Sequence, residues 1–150
     1  VLLQKRSDNG EWGVIGGATD PGEHPAQTLL REALEETGLH IKPRRFLGIV
    51  MIQTVYPNGD QLEMTVSVFD CQITGGTLAM LDGESLALEF FAPDQLPDSA
   101  GLRYYPDWMF KGEERPPFFE WRPVPFLQFP GRPAFFEDRL HINLRIDMIR

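Results

Sequence analysis

Residues 17–39 read GATDPGEHPAQTLLREALEETGL, and this stretch decides the fold. A helix turns about 100° per residue, so Glu32, Glu35 and Glu36 fall within an arc of roughly 100° on one face. Three carboxylates packed this closely are unfavourable unless a cation lies among them, and the simplest such cation is a divalent metal. A metal held by glutamates in an enzyme usually faces phosphate. The stretch therefore predicts a helix that carries a metal-phosphate site.

Residues at both ends of the stretch fix the limits of this helix. Pro25 suits the first helical position, where its missing N–H costs nothing, and Gly38 suits the left-handed position just past the end. Arg31 lies four residues before Glu35 and can hold it by a charge-assisted hydrogen bond. His24 precedes the helix, where serine would cap better, and is interpreted as exposed and not catalytic. The apolar face expected to meet the core consists of Ala26, Leu29, Leu30, Ala33 and Leu34.

The alternative to a metal site is an ordinary solvated face on a surface helix. That alternative requires the flanking glycines, Glu23 and Arg31 all to have their spacing by coincidence. The Gly16-Gly17 pair also lets the backbone come close to a ligand. The combined pattern therefore favours a site over a solvated face.

The segment resembles the Nudix box, G-x5-E-x7-R-E-U-x-E-E-x-G-U, in which U is a bulky aliphatic residue. Ala33 is an undersized U position, and Ile15 stands in the lead-in Trp12–Gly17 where proline is common. The resemblance runs to about Leu96. The matching box residues are Gly17, Glu23, Arg31, Glu32, Glu35, Glu36, Gly38 and Leu39.

The resemblance implies an α/β protein with the Nudix fold, an α/β/α sandwich with a mixed β-sheet and the loop-helix-loop Nudix box. Residues 1–100 are expected to form the Nudix core. Nudix domains usually have another strand before the first one seen here, so we expect the native start to be missing. Strands are predicted at Val1–Lys5, Glu11–Ile15, Phe46–Tyr56, Leu62–Ile73, Leu86–Phe91 and Leu140–Met148, with a hairpin turn at Asn58-Gly59.

Residues 101–150 differ in composition from the rest of the chain, with 7 of its 13 prolines and 11 of its 17 aromatic residues. They are interpreted as a C-terminal extension of the same domain that wraps the core. A substrate lid or a homodimer interface, which is also rich in aromatic residues, is the alternative.

The resemblance also implies the chemistry: water attacks a phosphorus atom while Mg²⁺, or Mn²⁺ in its place, neutralises the phosphates. The implied metal ligands are Glu32, Glu35 and Glu36 with the Gly16 carbonyl. Oxygen ligands of this kind are preferred by hard cations. Arg31 is expected to orient the carboxylates, which makes Arg31, Glu35 and Glu36 candidate catalytic residues.

Residues outside the helix complete the implied site. Glu23 is expected to brace the loop against the helix rather than to bind metal. Nudix enzymes often take a further glutamate from a loop before a later strand, and Glu84 occupies that neighbourhood as ligand or general base. Asp82 competes with it, and a surface loop acid is the alternative for Glu84. The candidate substrate-binding residues are Arg6, Trp12, Gly17 and Tyr56.

Composition limits the partners. Lysine and arginine total 14 against 22 acidic residues, a net charge of −8, which argues against a nucleic-acid partner. A polyphosphate would approach so acidic a surface only if metal ions reversed its sign. No apolar run approaches the roughly 18 residues of a membrane span, and Cys71 is the only cysteine, so we expect a cytoplasmic protein without membrane or disulfide. Cys71 itself is interpreted as a small buried side chain rather than a nucleophile.

The box predicts which bond is cleaved and leaves the substrate open. The preferred substrate is a nucleoside diphosphate linked to another group, such as ADP-ribose or a similar nucleotide sugar, with release of a nucleoside monophosphate. A hydrolase of oxidised nucleoside triphosphates is the enzymatic alternative. A Nudix-fold module that senses a nucleotide without cleaving it is the alternative from another class, although such modules typically lose box residues. No cysteine near the site supports an isomerase of isoprenoid diphosphates.

Overall fold

The computed structural model describes residues 1–55, 59–81 and 83–119 of the chain. In the part of the chain so described, no helix has the length and apolar character that crossing a bilayer requires. The elements in chain order are β1 (Leu2–Arg6), β2 (Trp12–Val14), α1 (Pro25–Thr37), β3 (Leu39–Val55), β4 (Gln61–Gly76), β5 (Ser85–Phe90), a 3-10 turn (Ala100–Leu102), α2 (Asp107–Phe110) and β6 (Phe118–Phe119).

The strands form two three-stranded sheets. In the first, β1 lies between β2 and β5 and pairs antiparallel with both. In the second, β3 lies between β4 and β6, antiparallel to β4 and parallel to β6. This second sheet confirms the prediction of mixed strand pairing. The central position of β1 matters for the site, because its residues face neighbours on both sides.

The third strand begins earlier than the sequence suggests. It starts at Leu39, whereas the pattern predicted a start at Phe46 after Pro43. Proline cannot donate to a strand ladder, and the register of β3 against β4 shifts between Pro43 and Arg45. The irregular pairing absorbs the proline and lets the strand continue.

The chain reverses between β3 and β4 where the turn was predicted, since Val55 pairs with Gln61. Gly59 has a φ of +89° in this connection. Residues 56–58 lie outside the described part of the chain.

The helix α1 begins and ends as predicted, at Pro25 and before a left-handed Gly38 with a φ of +70°. His24, not assigned a role from the sequence, is its N-cap: its Nδ1 accepts from the Ala26 N–H at 3.2 Å. Gln27 closes a capping box because its Oε1 accepts from the His24 N–H at 2.8 Å. The imidazole of His24 thus accepts the capping hydrogen bond for which serine is the more usual residue.

The apolar face predicted for α1 is only partly correct. Ala33 is buried, but Leu30 and Leu34 are 41% and 43% exposed. The helix is instead turned so that the carboxylate of Glu36, 4% exposed, faces the first sheet. The reason is polar: Glu36 finds hydrogen-bond donors on that side, and a buried carboxylate needs them.

The hydrophobic core joins the second sheet to the segment that follows residue 100. Leu47 and Val50 of β3 form a buried cluster with Tyr105 and Met109. Burial raises the pKa of Tyr105 to about 12, so its hydroxyl stays neutral. Residues 101–119 therefore contribute side chains to the core. The rest of the predicted extension, with the strand expected at Leu140–Met148, lies outside the described residues.

At Gly48 the backbone of β3 closely approaches the backbone of β6. It has a φ of +146°, and a Cβ there would collide with the main chain of Phe118 in β6. Only glycine permits the parallel pairing of Gly48 with Phe118.

Gly48→Ala is therefore expected to lower the free energy of unfolding by about 1–3 kcal/mol more than Gly10→Ala. Gly10 is a matched control because it also has a positive φ, +73°, but open space where a Cβ would lie. Urea denaturation of both variants measures the difference. Equal losses would show that β6 does not depend on the close approach.

Candidate active site

Arg31 is the centre of the hydrogen-bond network on α1. Its Nε donates to Glu23 Oε1 at 2.9 Å, and its Nη1 donates to Glu32 Oε1 at 2.8 Å and to Glu35 Oε2 at 3.1 Å. Its Nη2 donates to Glu23 Oε2 and to the Ala18 carbonyl, each at 3.1 Å. One guanidinium thereby ties the loop before the helix to two carboxylates on it.

The cluster around Arg31 keeps a surplus of negative charge. Asp20 lies 3.9 Å from Arg31, so four carboxylates share one guanidinium, which leaves a formal charge of −3. The hydrogen bond that Arg31 donates to Glu23 is the largest cause that raises the pKa of Arg31 far above its ordinary value. Arg31 thus neutralises part of the acidic face, and the remainder still favours a cation.

Glu23 is fully used as an acceptor in the loop. Besides Arg31, its Oε2 accepts from the Asp20 N–H at 3.1 Å and from the Thr28 hydroxyl at 2.9 Å. The Arg31 hydrogen bond, followed by the Asp20 amide, lowers the pKa of Glu23 from 4.5 to about 2. These contacts give Glu23 the geometry of a brace between the loop and the helix.

Glu36 is the buried member of the acidic stripe. Its Oε2 accepts from the Gly16 N–H at 3.2 Å, and its Oε1 accepts from Gln4 Nε2 of β1 at 3.2 Å. Gln4 is 3% exposed, and its own Oε1 accepts from the Ser85 hydroxyl of β5 at 2.8 Å. Glu36 is therefore oriented by groups from the loop and from the first sheet.

The loop of Gly16 and Gly17 lies against the helix and is exposed. A Cβ at Gly17 would collide with the carboxylate of Glu32, whose side chain is only 15% exposed. Glycine at position 17 is thus needed for Glu32 to lie against the loop. The backbone that could meet a ligand and the carboxylates of α1 share one edge of the molecule.

A cavity of about 260 Å³ is lined by Gln4, Arg6, Ser7, Asp8 and Glu84, and Gln4 links it to Glu36. It brings together Arg6 and Glu84, two of the residues predicted for the site. Arg6 forms an ion pair with Asp8 at 2.6 Å. The hydrogen bond to Asp8 is the largest cause that raises the pKa of Arg6, and the charges of Glu84 and Glu36 add to it. Arg6 therefore lies within the field of both glutamates.

Trp12 is placed by packing on the first sheet. Its ring meets Phe91 edge to face, with centroids 4.9 Å apart. Its backbone N–H donates to the Ser99 hydroxyl at 2.9 Å. Trp12 is half-buried, and these two contacts hold it on the first sheet. Tyr56 and Asp82, also considered for the site, lie outside the described residues.

The candidate metal ligands on α1 and in the loop before it have the chemistry that a hard divalent cation prefers. All are oxygens, from the carboxylates of Glu32, Glu35 and Glu36 and the backbone of Gly16, which suits Mg²⁺ or Mn²⁺. Glu35 is 55% exposed and so open to solvent. Within residues 1–55, 59–81 and 83–119, no three His, Cys, Asp or Glu side chains are arranged to hold a metal. Binding would thus require Glu32 or Glu35 to exchange a contact with Arg31 for the ion.

The sequence did not point to Gln4, Ser85 or Thr28. Gln4 directly follows the apolar run Val1–Leu3, and a polar residue in the middle of this predicted strand was the available signal.

Cys71 is half-buried, and burial raises its pKa to about 11, so its thiolate is scarce at neutral pH. That is the environment of a packing residue.

Because the pKa of Glu23 is lowered, its ionised form stabilises the fold above pH 4.5, and this contribution is lost as the pH falls towards about 2. The difference in unfolding free energy between wild type and Glu23→Gln should be largest above pH 5 and should shrink between pH 4.5 and 2. Urea denaturation at several pH values measures it.

The control is Glu89→Gln, which alters an exposed glutamate of β5 outside the cluster and should leave the pH dependence unchanged. A Glu23→Gln effect of equal size at pH 7 and pH 2 would contradict an ionic brace.

Comparison with known proteins identifies the family of the chain. A family model described as the NUDIX domain matches residues 1–109. A protein of Bacillus subtilis (strain 168), named provisionally as an 8-oxo-dGTP diphosphatase, is 35% identical over 98 residues, 65% of this chain and 60% of that protein. An ADP-ribose pyrophosphatase of Methanocaldococcus jannaschii is 34% identical over 103 residues, 67% of this chain and 59% of that enzyme.

Solved structures share the fold of this chain. The crystal structure of a MutT protein from Bacillus halodurans has a TM-score of 0.54 and 29% identity, over 74% of this chain and 71% of that one. The chain spans about 60% of the length of the two curated relatives described above. The match of the NUDIX family model to well over half of the chain shows the family. The chain belongs to the Nudix family and has the Nudix fold.

Proposed function

We propose that this chain hydrolyses the pyrophosphate bond of a nucleoside diphosphate linked to another group, such as ADP-ribose or a similar nucleotide sugar. The reaction depends on Mg²⁺, with Mn²⁺ as a substitute, and releases a nucleoside monophosphate. One observation carries the proposal: a surplus of carboxylates organised by Arg31 lies beside the exposed Gly16-Gly17 backbone. A cation and a phosphate together suit that arrangement.

The residues that would hold the ion are Glu32, Glu35 and Glu36 with the Gly16 carbonyl. When bound, the ion neutralises phosphate charge and polarises the phosphorus centre. Arg31 keeps Glu32 and Glu35 on one face through a single nitrogen, at 2.8 and 3.1 Å. The amides of Gly16 and Gln4 hold both oxygens of Glu36 in place. The chain thus supplies a set of oxygen ligands in which Glu36 is held on both oxygens, while Glu32 or Glu35 would exchange a contact with Arg31 for the ion.

In the proposed reaction the oxygen of a water molecule attacks phosphorus, and the bridging P–O bond breaks. The proton of the water passes to a carboxylate, for which Glu84 is our assignment, and the phosphate that leaves takes the electron pair. Glu84 lines the cavity beside Gln4 and Arg6. The next residue, Ser85, donates a hydrogen bond to Gln4, and Gln4 donates one to Glu36. A base in this position faces the same cavity as the substrate.

Three further residues are assigned to the substrate. Arg6 offers the positive charge in the cavity, Trp12 offers a fixed ring for the base, and Gly17 lets phosphate approach the backbone. These assignments are made for a small nucleotide, since the net charge of −8 disfavours a nucleic-acid backbone.

A second candidate is hydrolysis of oxidised nucleoside triphosphates. It is favoured by the relative from Bacillus subtilis, whose name refers to 8-oxo-dGTP. The sensing module is the weaker alternative, because every charged residue of the box is present and the carboxylates are organised around Arg31.

A panel of ADP-ribose, UDP-glucose, 8-oxo-dGTP and unmodified nucleoside triphosphates separates these candidates. With Mg²⁺, we expect release of a nucleoside monophosphate, fastest from ADP-ribose or the nucleotide sugar, and no release with EDTA. Highest turnover on 8-oxo-dGTP would select the second candidate. Tight binding of a nucleotide without release of any product would select the sensing module.

Glu36→Gln should lower kcat by about 100-fold or more, because it removes a carboxylate from the proposed ion site while keeping the shape of the side chain. Steady-state kinetics with Mg²⁺ measures this, and circular dichroism verifies the fold. The control is Glu63→Gln, which alters an exposed glutamate on β4 and should keep the wild-type rate. A near wild-type rate for Glu36→Gln would refute the assignment.

A further inference from the structure

A buried polar chain connects the proposed general base to the proposed metal ligand. Ser85 begins β5 directly after Glu84, and its hydroxyl donates to Gln4 Oε1 at 2.8 Å. Gln4 Nε2 donates to Glu36 Oε1 at 3.2 Å. Gln4 and Ser85 are 3% and 8% exposed, and neither belongs to the Nudix box. We call these three residues, Ser85, Gln4 and Glu36, the polar relay.

The direction of the relay follows from the chemistry of its ends. An ionised carboxylate can only accept, so the amide nitrogen of Gln4 must face Glu36. The amide oxygen of Gln4 then faces Ser85, which must donate its hydroxyl hydrogen. No buried side-chain polar atom among the described residues lacks a partner. The relay thus fixes one orientation for Gln4 and for the carboxylate it holds.

A backbone hydrogen bond outside the relay ties the loop of Glu84 to β1. The Ser7 N–H donates to the Glu84 carbonyl at 2.7 Å, and β1 shifts its register against β5 between Lys5 and Arg6. Gln4 is therefore anchored where β1 and β5 meet, and its amide reaches from there to α1. The side chain of Gln4 thus holds α1 and β5 together, although Glu36 and Ser85, which it contacts, are about 50 positions apart in the chain.

From this arrangement we propose that Gln4 is a positioning residue for hydrolysis, and that Ser85 positions Gln4. Gln4 holds the Glu36 carboxylate in the orientation that binds the divalent ion and sets it relative to Glu84. This inference rests on the proposed function, since it assigns Glu36 to the ion. An apolar residue would otherwise suit the centre of a buried strand better, because burying an amide costs free energy unless its hydrogen bonds are made.

Gln4→Met tests the inference, because it keeps the length of the side chain and removes both hydrogen bonds. The matched control is Gln53→Met: Gln53 is also a sheet glutamine whose Nε2 donates to a glutamate, Glu63, at 2.9 Å, but it is exposed on β3. Two readouts are used: binding of Mn²⁺ alone, by electron paramagnetic resonance, and kcat and KM on the best substrate of the panel.

We expect Gln4→Met to weaken Mn²⁺ binding and to lower kcat by about 10-fold or more each, the range typical of groups that orient metal ligands. KM should change little, and Gln53→Met should match wild type. Ser85→Ala should show a smaller loss, and Ser85→Thr, which keeps the hydroxyl, should restore both readouts. This rescue distinguishes positioning from a purely structural role.

Two results would overturn the inference. One is a folded Gln4→Met protein that loses thermal stability while it keeps wild-type Mn²⁺ affinity and kcat. The other is equal loss in Ser85→Ala and Ser85→Thr. If wild type hydrolyses nothing in the panel but binds Mn²⁺, the proposed function fails and the binding arm still decides the role of Gln4. If wild type neither hydrolyses nor binds Mn²⁺, both fail together.

Discussion

The guanidinium of Arg31 is the interaction on which the site depends. It contacts the loop through Glu23 and Ala18 and the helix through Glu32 and Glu35, all within 3.1 Å. Without it, the acidic residues would repel one another and the loop would lose its main tie to the helix. With it, the surplus charge is fixed in place on one face. Such a local surplus of negative charge attracts a divalent ion.

Other parts of the fold hold the carboxylate of Glu36. Glu36 is too deeply buried to share the exposed side of the cluster, and its carboxylate is held by Gly16 and by Gln4 of the central strand. The close approach of Gly17 lets Glu32 lie against the loop. The helix, the loop and the first sheet therefore meet at one edge, and each contributes a different kind of contact. The cavity with Arg6 and Glu84 is also lined by Gln4, which holds Glu36.

The features that could be predicted from the sequence are those that depend on the spacing of residues close together in the chain. The bounds of α1 follow from Pro25 and Gly38, and the Arg31–Glu35 contact follows from one helical turn. The contact between Gln4 and Glu36 joins residues 32 positions apart and depends on how the helix is rotated over the sheet. The same rotation leaves Leu30 and Leu34 exposed, against the apolar pattern. Propensity and periodicity describe one element at a time, so they do not determine this rotation.

We propose that the carboxylates organised by Arg31, together with the polar relay, form a divalent-metal site. The most direct measurement is anomalous diffraction from crystals of the protein soaked in Mn²⁺. We expect a manganese peak with Glu32, Glu36 and the Gly16 carbonyl among its ligands. A well-ordered structure with these side chains visible, Arg31 still holding Glu32 and Glu35, and no peak on this face at millimolar Mn²⁺ would contradict it.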